Sequence, residues 1–131
     1  MNHAEGMFEV KLAPQSAEDF TAAFLGRLLI DKQFHGDLEA VSHGLMLSVG
    51  TPTEGSAGYV AIEQVNGRLG GREGSFILEH NGIMRRGQGD LTITVVPDSG
   101  TGDLTGIEGT MTISITDQHF YAFEYTLPNA T

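Results

Sequence analysis

The chain predicts an all-β fold, an eight-stranded antiparallel β-barrel, on three observations. Segment 96–115, V-P-D-S-G-T-G-D-L-T-G-I-E-G-T-M-T-I-S-I, is a glycine-studded turn that runs into residues alternating polar and apolar, the period of a half-buried strand. Similar alternating runs recur along the chain with turn residues between them, as in a sandwich or barrel. The 18 glycines among 131 residues are about twice the usual ~7% and follow no G-x-y repeat, so they read as turns, bulges and close backbone approaches.

The strands are expected in this order. The first covers about 7–13, with Phe8, Val10 and Leu12 on one face. The second covers about 22–34 and is the ambiguous one. Ser16 and Asp19 resemble a capping box, and Phe20, Ala23, Phe24 and Leu28 fall near helical spacing. The third covers about 36–49 and is followed by the loop T-P-T-E-G-S. The fourth covers 58–66 and the fifth 72–80, with a turn at Asn81–Gly82. The sixth, 90–96, reads L-T-I-T-V-V in clean alternation; the seventh covers 103–115 and the eighth 119–127. Residues 1–131 form one domain, with 1–5 expected as a frayed N-terminus.

Composition excludes several classes. Seventeen acidic against seven basic residues give a net charge of −10, and only Arg72, Arg85 and Arg86 come near to clustering. Nucleic acid and anionic membrane surfaces are therefore set aside as partners. No apolar run approaches the length that spans a bilayer. The start, M-N-H-A-E-G, has neither the basic nor the apolar region of a secretory signal. There is no cysteine, hence no disulfide framework, thiolate nucleophile or Cys-type zinc site, and a cytoplasmic location is expected.

The glycine segment also invites a phosphate-loop reading, which fails. From Gly100 the spacing is G-x-G-x-x-x-G, the residues after it read as a strand, and no G-K-S/T is present. No cofactor and no metal are expected: His80 and His119 lie in neither H-x-H nor H-E-x-x-H. Ser42 and Ser75 lack a G-x-S-x-G context, so no hydrolytic triad is proposed.

The segment S-G-T-G-D-L-T-G-I-E-G resembles the G-G-S/T-G-x-F-x-G-x-x-G stretch of allene oxide cyclase and dirigent-type barrels. With F-H-G-D-L-E-A at 34–40, G-Y-V-A-I-E at 58–63, G-R-E-G-S-F-I-L-E-H at 71–80 and H-F-Y-A-F-E-Y at 119–125, the chain is similar to a smaller bacterial family of unknown function sharing that barrel. The resemblance implies an allene oxide cyclase-like barrel and moves 22–34 to a strand, with at most one helical turn around 17–20. The plant enzyme steers cyclisation of a lipid epoxide in its barrel with a carboxylate and ordered water. Its catalytic residues have no one-to-one counterparts here, and fold alone does not carry function.

The lumen is where a function would sit. On strand parity Tyr59 and Glu63 share a face, as do Phe76, Leu78 and His80, and His119, Tyr121, Phe123 and Tyr125. Glu63 follows Y-V-A-I and is the sharpest candidate; burial should raise its pKa unless Arg72 or a histidine pairs with it. The plainer reading is an exterior glutamate or one paired with Arg72. His80 and His119 are more simply core or rim histidines than ligands. Arg72 is a candidate carboxylate clamp, or else a structural partner of an acidic neighbour. Glu39, alternating with Leu38, is a candidate at one end of the lumen or a solvated rim residue. The leading expectation is a barrel that binds one apolar or aromatic small molecule; a homo-oligomer is compatible. The alternatives are an isomerase or cyclase using Glu63 with His80 or Tyr121, and a structural protein with a packed lumen. A void of roughly 300 Å³ would favour the first two. Closure by Phe76, Met111, Phe123 and Tyr125 would favour the third.

Overall fold

A computed structural model describes residues 1–15 and 24–128. The strands β1 (Asn2–Pro14), β2 (Gly26–Gly36), β3 (Leu38–Gly50), β4 (Ala57–Leu69), β5 (Arg72–Arg85), β6 (Gln88–Val95), β7 (Glu108–Ile115) and β8 (His119–Thr126) pair consecutively and antiparallel. Pairing of β1 with β8 closes the barrel. The β6–β7 seam is short, in register only at Ile93 with Met111 and Thr94 with Thr110.

Four expected boundaries differ. The end expected to fray at 1–5 is strand from Asn2, because closure opposes Asn2 to Tyr125 and Ala4 to Phe123. Asn81 and Gly82 do not turn: β5 continues to Arg85, and the reversal falls at Arg86 and Gly87, with φ of 48° and 88°. Gly82 instead lies under the Tyr59 ring, where a Cβ would stand 2.4 Å from the ring carbon Cε1. The seventh strand starts at Glu108, not at 103, after a 3-10 turn at Gly102–Leu104. The second starts at Gly26, and the helical turn considered at 17–20 lies outside the described residues.

Side-chain alternation sends every second residue inward. One end of the barrel is filled. Phe34, Phe76, Phe123, Leu38 and Leu69 are buried there, with Phe76 and Phe123 stacked at 5.6 Å between ring centroids. The glycine-rich loop between β6 and β7 plugs this end. Its backbone continues along β5 where β6 stops, through Val96 N–H to Ile77 O at 2.9 Å and Thr101 N–H to Ser75 O at 2.8 Å. The Ser99 and Thr101 hydroxyls accept from the Ile77 and Ser75 amides at 3.0 and 3.1 Å. This tethering buries Leu104 and Ile107 under the barrel. Gly102 makes the turn at φ +59°, and a Cβ there would lie 2.8 Å from the Glu73 carbonyl oxygen, so the position needs glycine twice over. Among the described residues no helix is long and apolar enough to cross a membrane.

Candidate functional site

Among the described residues the other end of the barrel is open. Its upper wall is apolar: Val10, Leu12, Ile30, Met46, Ile113 and Ile115 line an inner cleft of about 180 Å³. A wider cleft of about 490 Å³ lies at the mouth between the ends of β3, β4, β5 and β6, walled by Val49, Ile83, Met84 and Leu91. Met46 and Tyr59 form part of both.

Polar groups gather where the open half meets the packed half. Parity on β4 turns Tyr59, Ala61, Glu63 and Val65 inward, as the sequence pattern requires, and Glu63 is fully buried. Lys32 on β2 reaches it across β3. The passage exists because β3 presents only Ser42 and Gly44 there: Ser42 is opposite Lys32, and Gly44 is opposite Glu63. A Cβ on Gly44 would come within 2.8 Å of the Glu63 Cβ. The Lys32 ammonium stands 3.0 Å from Oε2 and donates to Oε1 at 3.3 Å, and its side chain is 7% exposed. It also sits over the Phe8 and Phe34 rings, 5.1 and 5.7 Å from their centroids, a cation–π arrangement at the boundary with the packed core.

His80 on β5 completes the cluster. It faces Ala61 in the β4–β5 register, one inward position from Glu63. Its Nε2 is 3.6 Å from Glu63 Oε2, an ion-pair distance too long for a hydrogen bond, and its Nδ1 is 3.5 Å from the Tyr59 hydroxyl. Facing a carboxylate, Nε2 serves as a donor, and Nδ1 is the nitrogen turned to the Tyr59 hydroxyl. Among the described residues, Ser42 Oγ, Glu63 Oε2 and His80 Nε2 are buried without a geometrically sound hydrogen-bond partner. Nζ is near Oε2 but poorly aligned with it.

Burial is the largest influence on the Glu63 carboxyl and pushes its pKa up. The His80 imidazole and the Lys32 ammonium together outweigh it, and the carboxyl is held below its ordinary value. A histidine beside Glu63 is the condition under which no elevation is expected; His80 meets it, Lys32 adds to it, and the carboxyl is held ionised. Burial, and then the Glu63 charge, raise the Tyr59 phenol. Tyr59 stays a hydrogen-bond donor.

Tyr59, Glu63 and His80 come together as their strand parity suggested. His119 stands higher on the cleft wall, its ring 5.2 Å from that of Phe8. The other candidates lie elsewhere. Tyr121 is buried toward the filled end, where its hydroxyl accepts from Leu38 N–H at 2.9 Å and is 2.9 Å from His35 O. It braces the β2–β3 turn and is no acid–base partner of Glu63. Glu39 points outward: Leu38, Ala40 and Ser42 take the interior positions, and Glu39 accepts from Gly36 N–H at 2.8 Å. Arg72 is exposed beside the β4–β5 turn, opposite Leu69 and near Tyr125, so neither Glu63 nor the cleft receives it. Lys32 is the residue that sequence reasoning missed. Its signal was available, since it alternates with Ile30 and Phe34 in a stretch read as strand. Among the described residues no group of three His, Asp or Glu is placed to hold a metal ion.

The model of a family described as "Protein of unknown function (DUF3224)" matches residues 4–125. A crystal structure of a protein of unknown function from the DUF3224 family of Shewanella oneidensis MR-1, at 1.84 Å resolution, has 53% sequence identity and a TM-score of 0.92, covering 99% of both chains. No curated protein matches.

Proposed function

The chain belongs to the DUF3224 family of proteins of unknown function, and we propose that it is a binding barrel for one small, largely apolar molecule. The observation that carries this reading is the division of the lumen. One half is filled by Phe34, Phe76 and Phe123, while the other opens as two apolar-walled clefts sharing Met46 and Tyr59. A concave apolar wall with a few convergent polar groups is the usual make-up of a ligand pocket. The inner cleft alone, about 180 Å³, is below ligand size, so the molecule must extend into the mouth, where about 490 Å³ is open.

The competing readings are less well supported. Phe76, Met111, Phe123 and Tyr125 are buried, as the packed-lumen reading asks, but they close only the lower half; among the described residues the upper half keeps both clefts. An isomerase or cyclase would use Glu63 as its acid–base group. That carboxyl is ionised and engaged by Lys32 and His80, which line the cleft while Glu63 lies behind them. The allene oxide cyclase resemblance of 99–109 concerns the plug at the filled end and supports the barrel more than the chemistry.

The test is binding of a neutral apolar fluorophore, N-phenyl-α-naphthylamine. Saturable binding at one site per chain is expected, and Met46→Trp, which fills the wall common to both clefts, should abolish it without loss of fold by circular dichroism. Absence of saturable binding to the folded wild-type protein would contradict the reading.

A further inference from the structure

Resting on that reading, we propose that the bound molecule is uncharged and carries a carbonyl oxygen, seated on Lys32 and His80 at the floor of the inner cleft. The first argument is which polar groups face the cleft. Lys32, Tyr59 and His80 line it, whereas Glu63 is fully buried behind them. A ligand entering from the mouth therefore meets hydrogen-bond donors. The Lys32 ammonium has three N–H groups, and Glu63 Oε1 takes one at 3.3 Å. His80 Nε2 is buried without a hydrogen-bond partner among the described residues, with the carboxylate beyond reach at 3.6 Å. Lys32 thus has unused donor capacity at the end of an apolar passage, and beside it His80 Nε2, turned toward Glu63, is a second buried donor without a partner among the described residues. An acceptor oxygen is the group that matches them.

The second argument is charge. Lys32 and Glu63 already neutralise each other at 3.0 Å. A carboxylate head would bring a net negative charge into a poorly solvated site of a chain whose net charge is −10. An ammonium head would meet Lys32 before it met Glu63. A neutral carbonyl adds no charge, and a hydrogen bond from a charged donor to it is stronger than one between neutral groups. The Lys32 ammonium lies 5.1 and 5.7 Å from the Phe8 and Phe34 ring centroids, and Lys32 and Phe8 both line the cleft.

The experiment compares three molecules with one naphthalene body: β-naphthyl methyl ketone, its isopropenyl isostere in which CH₂ replaces the carbonyl oxygen, and β-naphthoate. Calorimetry on the wild-type chain should rank the ketone at least tenfold tighter than the isostere and tighter than the carboxylate. The ketone's infrared carbonyl band should shift to lower frequency on binding. Lys32→Met alone would strand the buried Glu63 charge, so the variant used is the double Lys32→Met/Glu63→Leu, with His80→Phe as a second, shape-preserving change. Both should lose the ketone's advantage, in whole or in part, read as the ratio of ketone to isostere affinity within each variant. Equal affinity for ketone and isostere would overturn the proposal while leaving the apolar binding barrel standing, as would a tighter carboxylate. Binding of none of the three by the folded protein would remove the underlying reading as well.

Discussion

Lys32 and Glu63, on strands β2 and β4 with β3 between them, meet in the barrel interior with their charged atoms 3.0 Å apart. The pair forms because β3 offers a serine and a glycine at the crossing, and it marks the level at which aromatic packing gives way to open space. Two charges withdrawn from water are costly, and their mutual attraction offsets the cost only while both are present.

Breaking the pair from one side should therefore be severe. Glu63→Leu, which leaves Lys32 buried and unpaired, should lose about 3–5 kcal/mol in urea unfolding. Lys32→Met/Glu63→Leu should recover most of that loss. A single variant as stable as the double would show that the two residues are not coupled.

The pair also gives stability a pH dependence. Folding depresses the Glu63 pKa below its ordinary 4.5, so its contribution is complete above that value. As the pH falls below 4.5 the unfolded chain takes up the proton first, and stability drops until the folded carboxyl is itself protonated. Chemical-denaturation midpoints across this acid range should fall steeply for the wild type and less steeply for the double variant. Parallel curves would rule out Glu63 as a source of the slope.

Tyr121 should behave as a structural residue. Tyr121→Phe removes the oxygen that accepts from the buried Leu38 amide, a loss of about 1–3 kcal/mol. Binding of the naphthyl ketone should be unchanged. Weakened binding at full stability would return Tyr121 to the site.

The two halves of the barrel should differ in tolerance to truncation. Phe123→Ala, in the stacked core between Phe76 and Tyr125, should cost about 3–5 kcal/mol. Met46→Ala, on a wall that already borders open space, should cost clearly less. Similar losses in thermal unfolding would mean that the mouth is as well packed as the base.

Parity made the barrel interior largely readable from sequence. Tyr59, Glu63 and His80 each lie in runs of unbroken alternation, and alternation alone turns them inward. Lys32 was obscured because 22–34 also has helical spacing, and because its partner is two strands away, a relation no local pattern encodes. The direction of the Glu63 pKa rests on His80, which parity placed on the inner wall, together with that partner. Glu39 went astray because the tight turn at Gly36 sets the parity of β3, and Leu38 rather than Glu39 takes the interior place. The Asn81–Gly82 pair has the form of a hairpin turn, yet Gly82 serves as the floor under Tyr59. Side-chain packing across strands decides between those roles.

The central claim, a ligand seated in the open half above Lys32 and His80, is tested most directly by methyl NMR during titration with β-naphthyl methyl ketone. The methyl signals of Ile30, Met46 and Ile113 around the cleft should move and saturate together, while those of Leu104 and Ile107 in the plugged end stay fixed. Saturable shifts at Leu104 and Ile107 with the cleft methyls unmoved, or no saturable shift at any of the five, would contradict it.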